Sequence, residues 1–249
     1  MKKAFLAIRT TATYIIWIVC VPSLMLICGI LACLPTRLRY DNRLYFVVST
    51  FISHFILRAS GIKLAISGRE NLPRYPQAPA IFVMNHCSSL DIPLVEIVAG
   101  TYPHVWLSKA SYGNIPLFGF LLRRMHVLVD TTSRKDAGAA LIKTYSLLKN
   151  ASRHALVFPE GTRSLDGNVG NFFSGFALLA KKLNRPIIPV VISGIHKVYP
   201  KNSLIIDSLA PTVTITIGKP LLCPPSVSSD EFATNVHHYF KDALANAGR

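Results

Sequence analysis

The chain has 249 residues, of which 51% are hydrophobic and only 16% charged, and its 27 basic and 12 acidic residues give a net charge of +15. This composition is too apolar for an ordinary soluble enzyme and too interrupted for a polytopic transporter, so we expect a globular domain that carries a membrane-embedded piece. The basic residues are spread along the chain and the N-terminus is apolar, which favours membrane lipids over nucleic acid as the partner of the basic surface.

The first 58 residues form the predicted membrane-anchoring segment, which we expect to be helical. An uncharged stretch, residues 10–36, is long enough to span a bilayer, since a spanning helix needs about 20 apolar residues. Pro22 lies in the middle of this stretch and is expected to kink or break the helix. A second apolar run, residues 44–57, follows a patch of arginines and is too short to span comfortably.

Three arrangements of this segment remain open from the sequence. It could be a spanning anchor, or a two-helix hairpin that dips into one leaflet with basic residues at the headgroups. A cleaved signal peptide is disfavoured, because the apolar stretch exceeds the usual length of about 7–15 residues. The five cysteines include no C-x-x-C pair, which favours a reducing environment over a zinc site or a disulfide framework. We therefore expect a protein of the inner membrane whose main domain faces the cytoplasm.

Residues 59–249 have the pattern of one α/β domain. Short apolar runs alternate with helical stretches, and several runs are continuously apolar, as in strands buried on both faces. The alternation predicts a mainly parallel sheet flanked by helices. Residues 212–217 alternate between apolar and polar side chains, which favours a position nearer an edge. The predicted strands are residues 63–67, 80–84, 104–108, 126–129, 155–158, 187–192, 204–206 and 212–217, and the predicted helices are residues 92–99, 133–150, 175–184 and 230–245.

A polar turn, residues 85–91 (NHCSSLD), follows the predicted strand at residues 80–84. One interpretation is that Asp91 only caps the next helix. However, a histidine at the carboxyl end of a buried strand lies where α/β sheets place ligands. On one helix His86 and Asp91 would be about 140° apart, so they can meet only if the backbone bends between them. Asp91 could then hold one imidazole nitrogen of His86, while the other takes a proton from a hydroxyl group.

A second turn, residues 158–164 (FPEGTRS), follows another apolar run. Gly161 allows backbone amides to approach an anion closely, and Arg163 offers a planar fork suited to phosphate. Taken alone, a surface turn with a weak ion pair between Glu160 and Arg163 is an equally good interpretation. The third feature, residues 187–190 (IIPV), alone predicts a core strand with a bulge or an edge position at its proline.

The remaining reactive residues are assigned structural roles. Cys87 is expected to pack, because neighbouring side chains point apart and nothing nearby would activate its thiol. His237 and His238 lie in a predicted amphipathic helix without metal-ligand spacing, so we expect them to be solvated. The absence of a G-x-S-x-G sequence argues against an α/β-hydrolase lipase. We therefore expect neither a metal site nor a bound cofactor.

Together these features resemble the glycerophospholipid acyltransferase family, whose best-known members make phosphatidic acid from 1-acylglycerol-3-phosphate. NHCSSLD matches the family's N-H-x4-D block, FPEGTRS matches its F-P-E-G-T-R-S block in every position, and IIPV matches its later proline block. Lys109 lies where the family has a lysine before an I-P-x-x-G stretch. The resemblance covers about residues 61–220, and two such motifs in the right order, about 70 residues apart, argue against chance.

The resemblance implies an O-acyltransferase with the glycerolphosphate acyltransferase-like α/β fold. The acyl group would move from acyl-CoA or acyl carrier protein, as co-substrate, to the free hydroxyl of a lysophospholipid, with 1-acyl-sn-glycerol-3-phosphate as the first expectation. His86 would be the catalytic base, oriented by Asp91, and no acyl-enzyme would form. The residues expected to bind substrate are Asn85, Lys109, Arg134, Glu160, Gly161, Thr162 and Arg163.

The chain departs from the family pattern at two positions that bear on the acceptor. Thr131 replaces an arginine, and Ser174 stands where a lysine commonly precedes a glycine, so two phosphate-side cations are missing. Another lysophospholipid or a lyso-ornithine lipid is therefore an alternative acceptor. Further alternatives are a lipid or thioester hydrolase that uses water at the same His–Asp pair, and a non-catalytic lipid-binding protein. The basic residues that could compensate are Arg123, Arg124, Arg134 and Lys135.

Overall fold

The computed structural model describes residues 2–74, 77–130, 132–210 and 212–247. The helices in these ranges are α1 (Lys2–Ala32), α2 (Thr36–Arg39), α3 (Arg43–Ser60), α4 (Asp91–Ala99), α5 (Phe118–Met125), α6 (Arg134–Leu148), α7 (Gly175–Leu183), α8 (Ile195–Val198) and α9 (Ser229–Ala247). The strands are β1 (Leu64–Ser67), β2 (Ile81–Met84), β3 (His104–Lys109), β4 (Val127–Val129), β5 (His154–Val157), β6 (Ile187–Ser193) and β7 (Val213–Ile217). Two short 3-10 helices cover Arg69–Asn71 and Ala110–Asn114.

The strands form one sheet in the order β1-β7-β6-β2-β5-β3-β4. Neighbouring strands are parallel except for β6 and β7, which confirms the predicted mainly parallel sheet. Apolar β2 (IFVM) is fully buried between β5 and β6, as its uninterrupted hydrophobicity predicts. Because β2 and β5 run parallel with Val83 opposite Val157, the turns that follow them leave the same edge of the sheet side by side.

Helices cover both faces of the sheet. Phe82 of β2 packs with Leu94 and Val98 of α4 in the core on one face. Ile81 and Val83 point to the opposite face, where they share a second core with residues of α6, α7 and α9. Beyond the first face, α3 packs on α4, and α1 packs on α3 and α5. Helices α1 and α3 therefore border the edge of the sheet from which the turns after β2 and β5 leave.

The N-terminal segment is more regular than predicted. Pro22 does not break α1, which runs without interruption from Lys2 to Ala32. The Pro22 ring lies on the exposed side, so it costs α1 a hydrogen bond but no packing against its neighbours. By length and composition, α1 is able to cross a membrane. The expected domain boundary between residues 58 and 59 falls in the last turn of α3, and this division stays a prediction.

One predicted strand is wrong. Residues 204–206 belong to an irregular segment, because Ile206 satisfies its backbone on α1 rather than on the sheet. The Ile206 amide donates to Thr10 Oγ1 at 3.1 Å, and the Thr10 hydroxyl donates to the Ile206 carbonyl at 3.4 Å.

The positions of the last two strands differ partly from expectation. β7 lies one place in from edge strand β1, close to the predicted edge. β6, with its proline, is central rather than at an edge. Pro189 is tolerated there because paired residues of β6 and β7 begin only at Val190, while the Pro189 carbonyl accepts a hydrogen bond from the Gly218 amide at 2.8 Å.

Candidate active site

His86 and Asp91 meet through a bend between β2 and α4. His86 lies two residues after the end of β2, and Asp91 is the first residue of α4. The His86 Nδ1 atom is 2.8 Å from Asp91 Oδ2. The same oxygen accepts hydrogen bonds from the backbone amides of Cys87 at 2.6 Å and Ser88 at 2.8 Å. The sequence thus predicted both the bend and the contact, and the carboxylate also organises the turn as a cap would.

This arrangement defines the protonation of the His86 ring. The Asp91 side chain is fully buried and its Oδ2 accepts hydrogen bonds, so the proton of a neutral imidazole lies on Nδ1. His86 Nε2 then carries the lone pair and has no hydrogen-bond partner among the described residues. The His86 ring stacks on Phe158, with centroids 4.1 Å apart and planes 16° apart. The His86 ring is therefore held at Nδ1 by Asp91, while Nε2 is left to interact with a substrate.

Glu160 ties the second turn to the first. Its Oε1 accepts a hydrogen bond from the His86 backbone amide and its Oε2 accepts one from the Gly170 amide, both at 2.7 Å. The Ser164 amide donates to the His86 carbonyl at 2.7 Å, which closes a second link. Burial raises the pKa of the Glu160 carboxyl group, while the two amide contacts act in the opposite direction. These contacts position the backbone of the catalytic histidine candidate.

A cavity of about 850 Å³ opens beside His86. The part bordered by α1, α3 and α5 is mostly apolar, although buried Glu96 and His126 also line the cavity. The mouth, formed at the turns of residues 86–91 and 158–164, is polar and cationic. The apolar side chains lining it include Val21, Met25, Ile52, Ile56, Phe118 and Leu121, and the polar ones around His86 are Ser89, Lys109, Thr162, Arg163 and Lys201.

Four of the predicted substrate-binding residues line this cavity. They are Lys109, Gly161, Thr162 and Arg163. Arg163 donates to Ser89 Oγ at 2.7 Å and makes no ion pair with Glu160, so the surface-turn interpretation does not describe this site.

Three predicted binding residues do not face the cavity. The Asn85 amide donates to the Ile192 carbonyl at 2.9 Å and accepts from the Ile192 amide at 2.8 Å, which occupies it with β6. Glu160 is occupied by backbone amides, and exposed Arg134 is not among the lining residues. Thr131, singled out for its missing charge, lies outside the described residues.

Lys201 and Ser89 line the cavity near His86 but were not among the predicted binding residues, and Lys201 is the charged one of the two. It follows α8 in an irregular segment, and its Nζ atom donates to the Arg163 carbonyl at 2.9 Å. No motif surrounds this lysine, so only the folded arrangement brings it to the second turn.

Cys87 and the two histidines of α9 are placed by the structure as follows. Cys87 is buried, and burial raises the pKa of its thiol to about 11, so it packs rather than acts as a nucleophile. His238 is exposed, but His237 is half-buried against Phe172 at 4.9 Å between ring centroids, so its predicted solvation is wrong. Among the described residues no group of three or more histidine, cysteine or acidic side chains could hold a metal ion.

The fold and the His86–Asp91 geometry define a class of α/β proteins with a histidine–aspartate pair at the carboxyl ends of parallel strands. The model of the acyltransferase family matches residues 63–193. The chain belongs to this family.

Relatives of known sequence and structure agree with this assignment. A 1-acyl-sn-glycerol-3-phosphate acyltransferase of Chlamydomonas reinhardtii is 33% identical over 171 residues, which cover 68% of this chain and 49% of that protein. A protein of the same name from Borreliella burgdorferi is 31% identical over 68% of this chain and 66% of its own length. The matched part is thus about half of the algal relative.

A solved structure matches the whole chain. The crystal structure of the 1-acyl-sn-glycerophosphate acyltransferase PlsC from Thermotoga maritima covers 100% of this chain and 98% of its own, with a TM-score of 0.78 and 26% sequence identity. The similarity therefore includes the N-terminal helices as well as the sheet.

Proposed function

We propose that this protein transfers a fatty acyl group from acyl-CoA or acyl carrier protein to the free hydroxyl of 1-acyl-sn-glycerol-3-phosphate, which gives phosphatidic acid. The observation that carries the proposal is the Asp91-oriented His86 ring, whose Nε2 atom is free beside a cavity with an apolar interior and a cationic mouth. Relatives that bear the name of this activity support the same acceptor.

His86 Nε2 removes the proton of the acceptor hydroxyl as the oxygen attacks the thioester carbonyl carbon. The tetrahedral intermediate collapses, the carbon–sulfur bond breaks, and the imidazolium returns the proton to the thiolate. Asp91 holds the productive tautomer and stabilises the imidazolium. The Gly161 amide donates to the Phe158 carbonyl at 3.2 Å, so the amides of Thr162 and Arg163 are the ones proposed to stabilise the oxyanion. The acyl group passes directly between the substrates, so no acyl-enzyme forms.

The cavity has two chemical parts that suit a lysophospholipid acceptor. The apolar part between α1, α3 and α5 accommodates hydrocarbon, whose transfer from water is favourable. Arg163 and Lys109 at the mouth face the anionic headgroup. Asn85 and Glu160 act on the reaction by positioning the His86 backbone.

The apolar helix α1 indicates membrane association, and we propose the inner membrane with the catalytic domain facing the cytoplasm. At its N-terminus, Lys2 Nζ lies 3.9 Å from Asp207 Oδ2, and further along the helix Tyr14 donates to the Leu204 carbonyl at 2.9 Å. At its other end, the Ala32 carbonyl accepts from Arg124 Nε at 3.0 Å. Contacts with the α/β domain at both ends support a helix that lies along the domain and enters one leaflet, rather than one that projects through the bilayer.

The test is acylation of a panel of lysolipids by purified protein with acyl-CoA and acyl carrier protein donors, with products identified by mass spectrometry. We expect phosphatidic acid that depends on both substrates. Free fatty acid without acylated product would favour the hydrolase alternative and contradict the proposal. Acylation of lyso-ornithine lipid or another lysophospholipid alone would reassign the acceptor.

The role of His86 is tested in the same assay. His86→Ala should lower kcat by about 10²–10⁴-fold, because the acceptor loses its general base. His238→Ala, at an exposed histidine far along the chain in α9, is the matched control and should retain activity. Undiminished turnover by the His86 variant would remove His86 as the base.

Asp91→Asn gives a finer test of the same site. The amide oxygen is able to accept the three hydrogen bonds that Asp91 Oδ2 accepts, so the turn is preserved while the negative charge is lost. We expect a folded protein whose kcat falls because its imidazolium is no longer stabilised. A kcat equal to that of the wild type would contradict the proposed role of Asp91.

A further inference from the structure

Lys201 is held against the second turn by two contacts. Its Nζ atom donates to the Arg163 carbonyl at 2.9 Å and lies 3.4 Å from Thr162 Oγ1. An ammonium group has three donors, so one remains after these contacts. Lys201 also lines the cavity that contains His86. Its positive charge therefore lies at the mouth of the proposed active site, and one of its N–H donors is not used by the protein.

The segment that carries Lys201 is fixed to the His86 turn. Ser88 Oγ donates to the Tyr199 carbonyl at 2.8 Å, two residues before Lys201. The Ser203 amide donates to the Pro200 carbonyl at 3.1 Å, and the Asp207 amide donates to the Val198 carbonyl at 2.8 Å. Because hydrogen bonds fix the backbone of this segment, Lys201 loses less conformational entropy on binding an anion than a lysine on an open surface would lose.

The mouth has an excess of positive charge. Lys109, Arg163 and Lys201 line it, and none forms an ion pair with a described residue, although exposed Asp130 interacts electrostatically with Lys109 at longer range. The buried carboxylates beside the cavity are already engaged, Asp91 with His86, Glu160 with two backbone amides, and Glu96 with His104 and Trp106. A doubly charged phosphate would offset two of the three positive charges and accept their free donors.

We propose that Lys201 binds the phosphate monoester of the acceptor and supplies a cation that the family pattern provides elsewhere. This rests on the proposed acyltransferase function. The chain lacks basic side chains at Thr131 and Ser174. Lys201, in the segment that follows β6 and α8, contacts the turn that carries Arg163. The phosphates of coenzyme A share this chemistry, so the experiment must separate acceptor from donor.

The experiment compares Lys201→Met with the wild type, because methionine keeps most of the side-chain length and removes the charge. We expect the KM for 1-acyl-sn-glycerol-3-phosphate to rise by about tenfold or more, as for a lost charged hydrogen bond, while kcat and the KM for acyl-CoA change little. Lys201→Arg should restore most of the affinity for the acceptor. Lys197→Met, at an exposed lysine of α8 outside the cavity lining, is the matched control.

The outcomes separate this inference from the proposed function. A wild-type protein that does not acylate 1-acyl-sn-glycerol-3-phosphate overturns the proposed function. A wild-type protein that does so, with equal KM values for the Lys201→Met and Lys197→Met variants, overturns only the role of Lys201. A rise confined to the KM for acyl-CoA assigns Lys201 to the donor and also contradicts the inference. Thermal unfolding of each variant checks that the fold is retained.

Discussion

Two buried carboxylates shape the candidate active site by accepting hydrogen bonds from several backbone amides. Asp91 holds the amides of Cys87 and Ser88 together with the His86 ring, and Glu160 holds the amides of His86 and Gly170. Each carboxylate thus spans a turn that has no regular secondary structure to satisfy its backbone. The sequence assigned Glu160 to substrate, but both of its oxygens are turned towards the protein.

This arrangement makes Glu160→Gln a sensitive test. Glutamine offers one acceptor oxygen in place of two, so either the His86 or the Gly170 amide faces an NH₂ group and loses its partner. We expect the free energy of unfolding to fall by about 1–3 kcal/mol, the cost of an unpaired buried group. We also expect kcat to fall because the His86 backbone shifts. Chemical denaturation and initial-rate measurements check the two effects.

Glu70→Gln, at an exposed glutamate, is the control for this substitution and should leave both quantities unchanged. A Glu160→Gln variant with wild-type stability would show that its carboxylate does not hold the two turns together.

At the scale of elements, local patterns placed most strands, but they could not show which strands are neighbours. The apolar runs at β2 and β5 were predicted, yet their adjacency arises from pairing between Ile81 and Ala155, 74 residues apart. The two motifs were therefore known, while their physical link through Glu160 was not. Residues 204–206 were wrongly predicted as a strand because three consecutive aliphatic side chains suit a buried strand as well as a packed loop.

Local sequence patterns likewise identified only some of the residues that line the cavity. His86 and Arg163 were found because compact motifs carry them, whereas Lys201 reaches the mouth only through the contacts of a distant loop. Helix α5 was missed as well, although it borders the apolar part of the cavity, since its eight residues are too few for a clear helical pattern.

The contribution of Thr10 to the docking of the loop at residues 199–207 on α1 is open to test. Thr10→Val keeps the shape of the side chain but removes both hydrogen bonds to Ile206. We expect the Ile206 amide to exchange its hydrogen about fivefold faster or more, because a hydrogen bond contributes about 1 kcal/mol. Hydrogen–deuterium exchange of the peptide that contains residues 203–207, read by mass spectrometry, measures this.

Thr11→Val places the same substitution one residue further on, at an exposed position of α1. Exchange at Ile206 should match the wild type in this variant. If the Thr10 and Thr11 variants behave alike, the hydrogen bonds of Thr10 do not hold the loop.

Over the whole molecule, a buried polar cluster joins helix α4 to the sheet through Glu96, His104, Trp106 and His126. Glu96 of α4, buried at the wall of the cavity, accepts hydrogen bonds from His104 Nε2 at 3.1 Å and Trp106 Nε1 at 2.8 Å. His126 lies next to this group, and its Nδ1 accepts from the Trp106 amide at 3.2 Å. These contacts join α4 to β3 and the start of β4, so the stability of the sheet depends on their protonation.

His126 should make the protein less stable in mild acid. Burial, and secondarily the charge of His104, lower the pKa of His126 to about 3, against about 6.5 in an unfolded chain. The contribution of neutral His126 to the free energy of unfolding is therefore complete above pH about 6.5. As the pH falls towards 3, the unfolded state binds a proton that the folded state excludes, and stability falls by up to about 1.4 kcal/mol per pH unit. His126→Asn, whose Oδ1 can accept from the Trp106 amide, should flatten the fall in Tm between pH 7.5 and 5, whereas exposed His238→Asn should not. Parallel Tm curves for the wild type and the His126 variant would contradict a buried neutral histidine.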